Sequence, residues 1–255
     1  MTNSEIWDIA LQQSAIDANC LKEDFLQGDN KVVLSAEHPQ ARKYLSLPFY
    51  CYLISYGSNI VASVHPDIYD VVESYINKYS TEHCFGTPNL YVLNSELQRR
   101  NQQICFMSEY FLPDVNVLKA GECGFETRVL GPDDFAELYT VEWSNALCEQ
   151  RKHLDVLGIA AYDGDKLIGL AGCSADCETM WQIGVDVLPS YRRQGIAQAL
   201  TSRLAVEILE RGKVPFYCAA WSNLRSVRNA LKSGFRPAWI EMTAKPSEIV
   251  ASLNR

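Results

Sequence analysis

The sequence lacks any long hydrophobic run, and no apolar segment approaches the roughly 20 residues that a transmembrane helix needs. Its first five residues also lack the basic and then apolar layout of a secretory signal peptide. From these two absences we expect neither a membrane-spanning protein nor a classical secreted one. We therefore expect a cytoplasmic protein with no membrane partner.

Positive charge is scarce as well. The chain has 23 Lys and Arg residues against 31 Asp and Glu residues, which gives a net charge of −8. A nucleic-acid-binding protein needs a basic surface, so we expect no nucleic-acid partner. Hydrophobic residues make up 47% of the 255 residues, which is enough apolar material for one large or two small folded domains and argues against disorder.

A metal-binding motif is missing too. The nine cysteines form no Cys-x-x-Cys pair. Cys173 and Cys177 are separated by three residues, but neither a second pair nor a nearby histidine completes a zinc site. We expect no metal, and we expect the cysteines to be reduced thiols that are mostly buried as small hydrophobic side chains.

What the chain does contain is a strand that leads into a basic turn and then a helix. Residues 183–187 are rich in β-branched side chains, and a repeat of apolar residues at every fourth position from Ile196 to Ile208 predicts a helix. The start of a helix offers unpaired N–H groups and a positive dipole end, which bind phosphate, and Gly195 lets the backbone approach a ligand closely. We predict a diphosphate site with these members: Arg192, Arg193, Gln194, Gly195, Ile196 and Ala197.

The flanking segments predict a mixed sheet. Residues 125–130 read as a strand, residues 131–134 as the cap of a helix, and residues 157–172 as a hairpin around Asp163-Gly164. After the predicted helix, residues 214–221 form the next strand and a second helix starts at Ser222-Asn223. The predicted order is strand, helix, three antiparallel strands, helix, strand and helix.

With these segments in this order, the chain resembles the GNAT N-acetyltransferases over roughly residues 125–243. The residues that carry the resemblance are Val185-Asp186-Val187, the turn at 192–197, Asn223 with Ser226, and Gly234-Phe235. The resemblance implies an α/β (α+β) protein with the GNAT acyl-CoA N-acyltransferase fold, a mixed and mostly antiparallel sheet flanked by helices. It also implies acetyl-CoA as the acyl donor.

The same resemblance implies how acetyl-CoA is held. A bulged strand around residues 184–187 would splay from the next strand, so that backbone groups of Val185 and Val187, with Asp186 between them, pair with the pantetheine arm. The turn would hold the diphosphate, and Asn223 and Ser226 would line the far side of the cofactor.

The catalytic residues depart from the family pattern. Many members place a tyrosine seven residues after the asparagine, where this chain has Ala230, and others place a glutamate five residues before it, where this chain has Cys218. Candidate catalytic residues are therefore Tyr217 as a proton donor, Cys218 as an acyl-carrying nucleophile and Glu142 as a base or amine anchor. Core packing is the alternative for the first two, a solvated helix face is the alternative for Glu142, and a water-relayed proton path stays open.

Two further residues precede the motif strand. Trp181 and Gln182 lie on the side where an acceptor would sit, so we expect them to form part of the substrate wall. Simple burial in the core is the alternative for Trp181.

Residues 1–118 do not match the motifs and are predicted to form a smaller α/β domain, and residues 119–255 the acetyltransferase domain. An amphipathic stripe from Ile68 to Tyr79 predicts one helix, and residues 88–100 predict another. Short strands are predicted at residues 31–36, 51–56, 59–64 and 103–110. This domain could be a degenerate copy of the GNAT unit.

The resulting functional hypothesis is an acetyl-CoA-dependent N-acetyltransferase that acts on a primary amine of a small molecule, an amino acid or a peptide. A non-catalytic acyl-CoA-binding or sensing module is the alternative from a different class. A third reading keeps catalysis but uses a longer acyl donor or a protein lysine. The sequence does not decide the oligomeric state, and a homodimer stays open.

Overall fold

The computed structural model describes residues 1–255. Its chain divides into two compact units. Unit 1 consists of Met1–Ala10 and Phe111–Pro237, and unit 2 consists of Leu11–Tyr110 and Ala238–Arg255. This division does not coincide with a single cut at residue 118, because each terminal segment belongs to the unit built mainly from the other half of the chain. The assignment of 1–118 and 119–255 as domains stays a prediction.

The chain forms ten strands and seven helices. The strands are β1 (Lys31–Leu34), β2 (Cys51–Ser55), β3 (Val61–Val64), β4 (Gln102–Pro113), β5 (Glu126–Leu130), β6 (Asp155–Asp163), β7 (Lys166–Ser174), β8 (Met180–Val187), β9 (Val214–Ala219) and β10 (Phe235–Pro246). The helices are α1 (Asn3–Ala18), α2 (Tyr69–Lys78), α3 (Thr81–Cys84), α4 (Leu90–Gln98), α5 (Ile196–Glu210), α6 (Leu224–Lys232) and α7 (Ser247–Leu253). No helix combines the length and the apolar character needed to cross a membrane.

Unit 1 is built on a sheet with the strand order β9-β8-β7-β6-β5. The pairs β5–β6, β6–β7 and β7–β8 are antiparallel, and β8–β9 is parallel. The hairpin predicted at residues 157–172 is present, and Gly164 in its turn has a φ of +60°, which glycine adopts without strain. The mixed, mostly antiparallel sheet flanked by helices agrees with the predicted fold class.

Both faces of this sheet are covered. On one face α5 packs Ile196, Leu200 and Leu204 against strand side chains that include Ile183, and these residues are almost fully buried. The fourfold repeat in the sequence produces this stripe, because residues three and four apart share one side of a helix. On the other face a second cluster forms around Phe135.

The segment before β6 corrects one prediction. The helix expected after residues 131–134 is replaced by turns and by the short 3₁₀ helices Pro132–Asp134, Val141–Trp143 and Glu149–Leu154. Phe135 is buried in the second cluster, whereas Val141 is 87% exposed. The apolar residues of this segment therefore do not share one buried stripe, and the segment follows the sheet as a loop.

Unit 2 has the strand order β1-β3-β2-β10-β4, in which β1–β3 is parallel and β2–β3 and β2–β10 are antiparallel. The predicted helices at residues 68–79 and 88–100 correspond to α2 and α4. Their buried side chains, among them Val72, Ile76, Leu93 and Leu97, join the strands in one apolar core. Helix α1 was not predicted.

Candidate active site

Strands β8 and β9 pair over only part of their length. Their parallel pairing runs from Met180↔Val214 to Ile183↔Tyr217 and then stops, although β8 continues to Val187 and β9 to Ala219. Residues 184–187 of β8 therefore have a strand neighbour on one side only. This opening between β8 and β9 is called the strand gap below.

The register shows which backbone groups face the strand gap. The N–H of Leu188 donates to the carbonyl of Ile168 across the β7–β8 ladder at 2.9 Å. Hydrogen-bonded pairs alternate along an antiparallel ladder, so even-numbered β8 residues bond to β7 and odd-numbered ones turn the other way. The N–H and C=O groups of Val185 and Val187 thus point into the gap, where β9 does not pair with them.

The bulge expected around residues 184–187 is absent from the pairing with β7. That register runs without a shift from Gly169↔Val187 to Ser174↔Gln182. The expectation is wrong for this ladder: the gap exists because β9 stops pairing with β8, and no extra residue in β8 is needed to open it.

Helix α5 begins beside the C-terminal end of β8 with its first turn open. Gly195 is the N-cap, has a φ of +82° and supplies no side-chain cap. The N–H of Ala199 donates to the Gly195 carbonyl at 3.0 Å, so the N–H groups of residues 196–198 precede the first intrahelical bond. A Cβ at Gly195 would meet no atom within 4 Å. The turn therefore leaves space at the positive end of the α5 dipole, as a bound diphosphate requires.

The turn that precedes α5 is basic and fixed at its start. Arg192 is exposed, and its Nε donates to the carbonyl of Val187 at 3.0 Å. Arg193 is exposed and has a φ of +64°, a strained value for a residue with a Cβ. The Tyr191 hydroxyl bonds the Asp163 carboxylate at 2.8 Å. The two guanidinium groups are thus presented to solvent at the mouth of the site.

The other members predicted for the diphosphate site lie in the same turn. Gln194 is exposed next to Gly195 and Ala197 is half-buried in the first turn of α5, whereas Ile196 is buried in the core and offers only its backbone.

Across the strand gap, the start of α6 holds the predicted polar pair. The Asn223 Oδ1 accepts the Ser226 N–H at 3.3 Å and so caps this helix. The Ser226 hydroxyl is 2.7 Å from the Tyr217 hydroxyl. Burial raises the pKa of Tyr217, although bonds to Ser226 and Asn229 oppose this effect. The Tyr217 hydroxyl therefore keeps its proton at neutral and moderately alkaline pH.

Alternation along β9 places Tyr217 and Cys218 on opposite faces of the sheet. Tyr217 lies in the cluster under α5 and α6, and Cys218 is half-buried on the other face, where its sulfur accepts from Gln182 Nε2 at 3.1 Å. Trp181 packs against the α5 cluster. Trp181 and Gln182 therefore do not share one wall; Gln182 lies on the face of Cys218.

The contacts of Glu142 are separate from those of Tyr217, Cys218 and Gln182. Glu142 is an exposed residue of the 3₁₀ helix Val141–Trp143. Bonds from its own N–H and from the Thr140 hydroxyl hold the pKa of its carboxyl below the usual value. A lowered pKa makes this carboxylate a weaker base, so its catalytic role stays a prediction.

Asp186, expected among the cofactor contacts, has its carboxylate engaged elsewhere. It accepts three hydrogen bonds from Asn145 and Ala146, of 2.7 to 3.1 Å. Sequence reasoning missed this partnership, because 40 residues separate the two segments and no local pattern reports the contact.

The chain matches the model of a known protein family. The family model described as GNAT acetyltransferase matches residues 95–238, which is more than half of the sequence. The chain belongs to the GNAT acetyltransferase family. The predicted resemblance is thereby confirmed, and with it the assignment to a family of N-acetyltransferases. The matched range contains the strand gap, the basic turn and both flanking helices.

The solved structures that match the chain are only distantly related in sequence. A GNAT-family protein from Novosphingobium aromaticivorans is 17% identical, with 56% of this chain and 66% of that one covered and a TM-score of 0.46. A GCN5-related N-acetyltransferase from Sphaerobacter thermophilus is 15% identical, with 73% and 72% covered and a TM-score of 0.47. The protein yncA from Salmonella typhimurium, solved with its cofactor acetyl-CoA, is 17% identical, with 48% and 94% covered and a TM-score of 0.35. The chain thus spans slightly less than two thirds of the first of these proteins. A search of curated proteins finds no significant match.

Proposed function

We propose that this GNAT protein transfers the acetyl group of acetyl-CoA to a primary amine of a small molecule, an amino acid or a peptide. The observation that carries the proposal is the strand gap opening beside the uncapped start of α5. One feature offers a linear amide-containing arm the backbone groups of β8 that β9 does not pair with, of which the Val187 carbonyl is bonded by Arg192 Nε. The other offers N–H groups to a diphosphate. Together they match the two chemical parts of CoA.

The binding roles follow from this placement. The N–H groups of residues 196–198 hold the diphosphate, and Arg192 and Arg193 add positive charge beside it. The backbone groups of Val185 and Val187 pair with the pantetheine arm in the strand gap, and Asn223 and Ser226 line its other side at the start of α6. Acetyl-CoA supplies the acetyl thioester. The residues present therefore fit CoA as the donor.

The catalytic roles use the same elements. A backbone N–H of Val185 or Val187 stabilises the charge that builds on the thioester oxygen. Tyr217 donates its hydroxyl proton to the sulfur as the amine nitrogen attacks and the carbon–sulfur bond breaks. A water molecule then carries a proton from that nitrogen back to the Tyr217 oxygen. Tyr217 is the best placed candidate, because it pairs with the last residue of β8 before the strands part and its raised pKa keeps the proton available.

The proposal is tested by binding and turnover measured on the same protein. Acetyl-CoA should bind in isothermal titration calorimetry, and CoA-thiol release should increase with at least one member of a panel of spermidine, free amino acids and short peptides with a free N-terminus. Binding without turnover on every amine would favour the sensing module instead. Absence of CoA binding would overturn both functions.

Replacing Tyr217 with Phe should lower kcat by roughly 100-fold, the lower range for loss of a general acid. CoA affinity should hold, because the ring and its packing remain. Since the pKa of Tyr217 lies above its usual value near 10, the wild-type kcat should not fall with rising pH below about pH 10 on account of this group. Steady-state kinetics across pH measures both effects.

The matched control is Tyr162→Phe. It keeps the aromatic ring, whose centroid lies 4.3 Å from the guanidinium carbon of Arg128. This control should retain wild-type kcat. A Tyr217→Phe variant with the same kcat as the control would remove Tyr217 from the mechanism and leave the water-relayed path.

A cytoplasmic location and the absence of a metal stay predictions, and a homodimer stays open.

A further inference from the structure

Both oxygens of the Asp186 carboxylate accept hydrogen bonds from one short loop segment. Its Oδ2 accepts the backbone N–H groups of Asn145 at 2.8 Å and Ala146 at 3.1 Å, and its Oδ1 accepts the Asn145 side-chain amide at 2.7 Å. Bonds to an ionised acceptor are the stronger kind. Asp186 thus binds the backbone of residues 145–146 and the side chain of Asn145.

Two glycines that face each other on neighbouring strands leave room for the backbone of that segment. Gly172 of β7 and Gly184 of β8 are direct partners in the ladder. A Cβ built on Gly184 would come within 1.8 Å of the Asn145 carbonyl oxygen, and one on Gly172 within 2.2 Å of that of Ala146. Any larger residue at either position would displace the segment. The loop backbone therefore lies directly on the sheet.

The contact between this loop segment and the sheet lies beside the strand gap. Gly184 is the first β8 residue after the pairing with β9 ends. Gln182, Gly184 and Asp186 project to the same face because side chains alternate along a strand, and this is the face opposite α5. The contact of Gln182 with Cys218 lies on this face as well. The segment 144–147 thus borders the gap on the side that α5 and α6 do not cover.

We propose that Asp186 is a positioning residue that fixes segment 144–147 as the wall along which the amine acceptor reaches the thioester. The inference rests on the proposed function and assigns Asp186 a role other than binding the cofactor. Both carboxylate oxygens already accept loop donors, and a negative charge is poorly suited to an anionic cofactor. Residues 144–147 carry no charged side chain, so the wall that they form adds no charge beside the path of the amine.

Two variants release the segment by independent routes. Asp186→Asn cannot accept from all three donors, and Gly172→Ala inserts a methyl group under Ala146 on a strand that does not line the gap. Each should speed hydrogen exchange of the Asn145 and Ala146 amides about ten-fold. Each should also raise the KM for the amine that the panel identifies by about ten-fold while the Kd for CoA stays within about two-fold of wild type. Asp165→Asn, on the exposed hairpin turn, removes the same charge and should change neither quantity.

The outcomes separate the two proposals. A wild-type protein that fails to bind CoA overturns the proposed function. If wild type binds CoA, an Asp186→Asn variant that weakens CoA binding while Gly172→Ala does not would make Asp186 a cofactor ligand and overturn the positioning role. Equal exchange and equal amine KM in Asp186→Asn and Asp165→Asn would also overturn it. A raised amine KM with unchanged CoA affinity in both loop-releasing variants supports it.

Discussion

Reversing the charge of Arg192 and Arg193 to Glu should weaken CoA binding by at least about 100-fold. The reason is the placement of both side chains beside an uncapped helix start, where the N–H groups and the helix dipole already favour an anion. Two carboxylates there would repel a diphosphate and would themselves bond the open N–H groups. Because both arginines are exposed, the fold should persist.

This expectation is checked by calorimetric titration of CoA into the double variant, with its melting temperature measured in parallel. The matched control is the double variant Lys43→Glu and Lys78→Glu, which makes the same change in net charge at exposed lysines of unit 2. The control should bind CoA like wild type. Wild-type affinity in the arginine double variant would remove the turn at residues 192–197 from the cofactor site.

Replacing Arg42 with Met should destabilise unit 2 by roughly 3–5 kcal/mol, the range for removing one partner of a buried ion pair. Arg42 is 2% exposed and bonds Asp17 Oδ2 at 2.5 Å and Glu241 Oε1 at 2.6 Å. Tyr52 and Tyr44 hydroxyls lie 3.4 and 2.5 Å from its terminal nitrogens. Without the guanidinium, two buried carboxylates lose the cation that compensates them.

The loss of unfolding free energy in the Arg42→Met variant should depend on pH. Burial raises the pKa of Asp17, and Arg42 opposes that rise in the wild type. Removing Arg42 raises the folded-state pKa further, so the penalty is smallest at low pH, where the carboxyl is protonated in both states, and grows as pH rises. Urea unfolding at about pH 5 and about pH 8 should therefore give a smaller loss of unfolding free energy at the lower pH.

Arg99→Ala is the control, because Arg99 is 71% exposed and pairs with Glu96 on the surface of α4. Its effect should be under about 1 kcal/mol. An Arg42→Met variant that loses no more stability than this control would contradict a structural role for the buried network.

The sequence predicted the turn at residues 192–197 and its flanking elements because their determinants are local. The repeat that defines α5 lies within the helix itself, Gly195 adopts the positive φ that its turn requires, and the β-branched residues at 183–187 form the C-terminal part of β8. The alternation that separates Tyr217 from Cys218 is likewise a property of one strand. Local chemistry thus sufficed to place the candidate cofactor site.

Features that depend on distant partners were not predictable in the same way. Helix α1 buries Gln13, Ser14 and Asp17 beside its apolar residues, so its inward face does not read as an apolar stripe. The role of Asp186 depends on loop residues 40 positions earlier. The opening between β8 and β9 depends on where a pairing stops, and the resemblance attributed it to a bulge that the β7–β8 register lacks.

The most direct test is a crystal structure of the protein with CoA bound. The account predicts diphosphate oxygens within hydrogen-bond distance of the N–H groups of residues 196–198, and a pantetheine arm that bonds the backbone of Val185 and Val187 between β8 and β9. A structure in which CoA binds elsewhere, or in which the two strands pair through residue 187 in its presence, would contradict it.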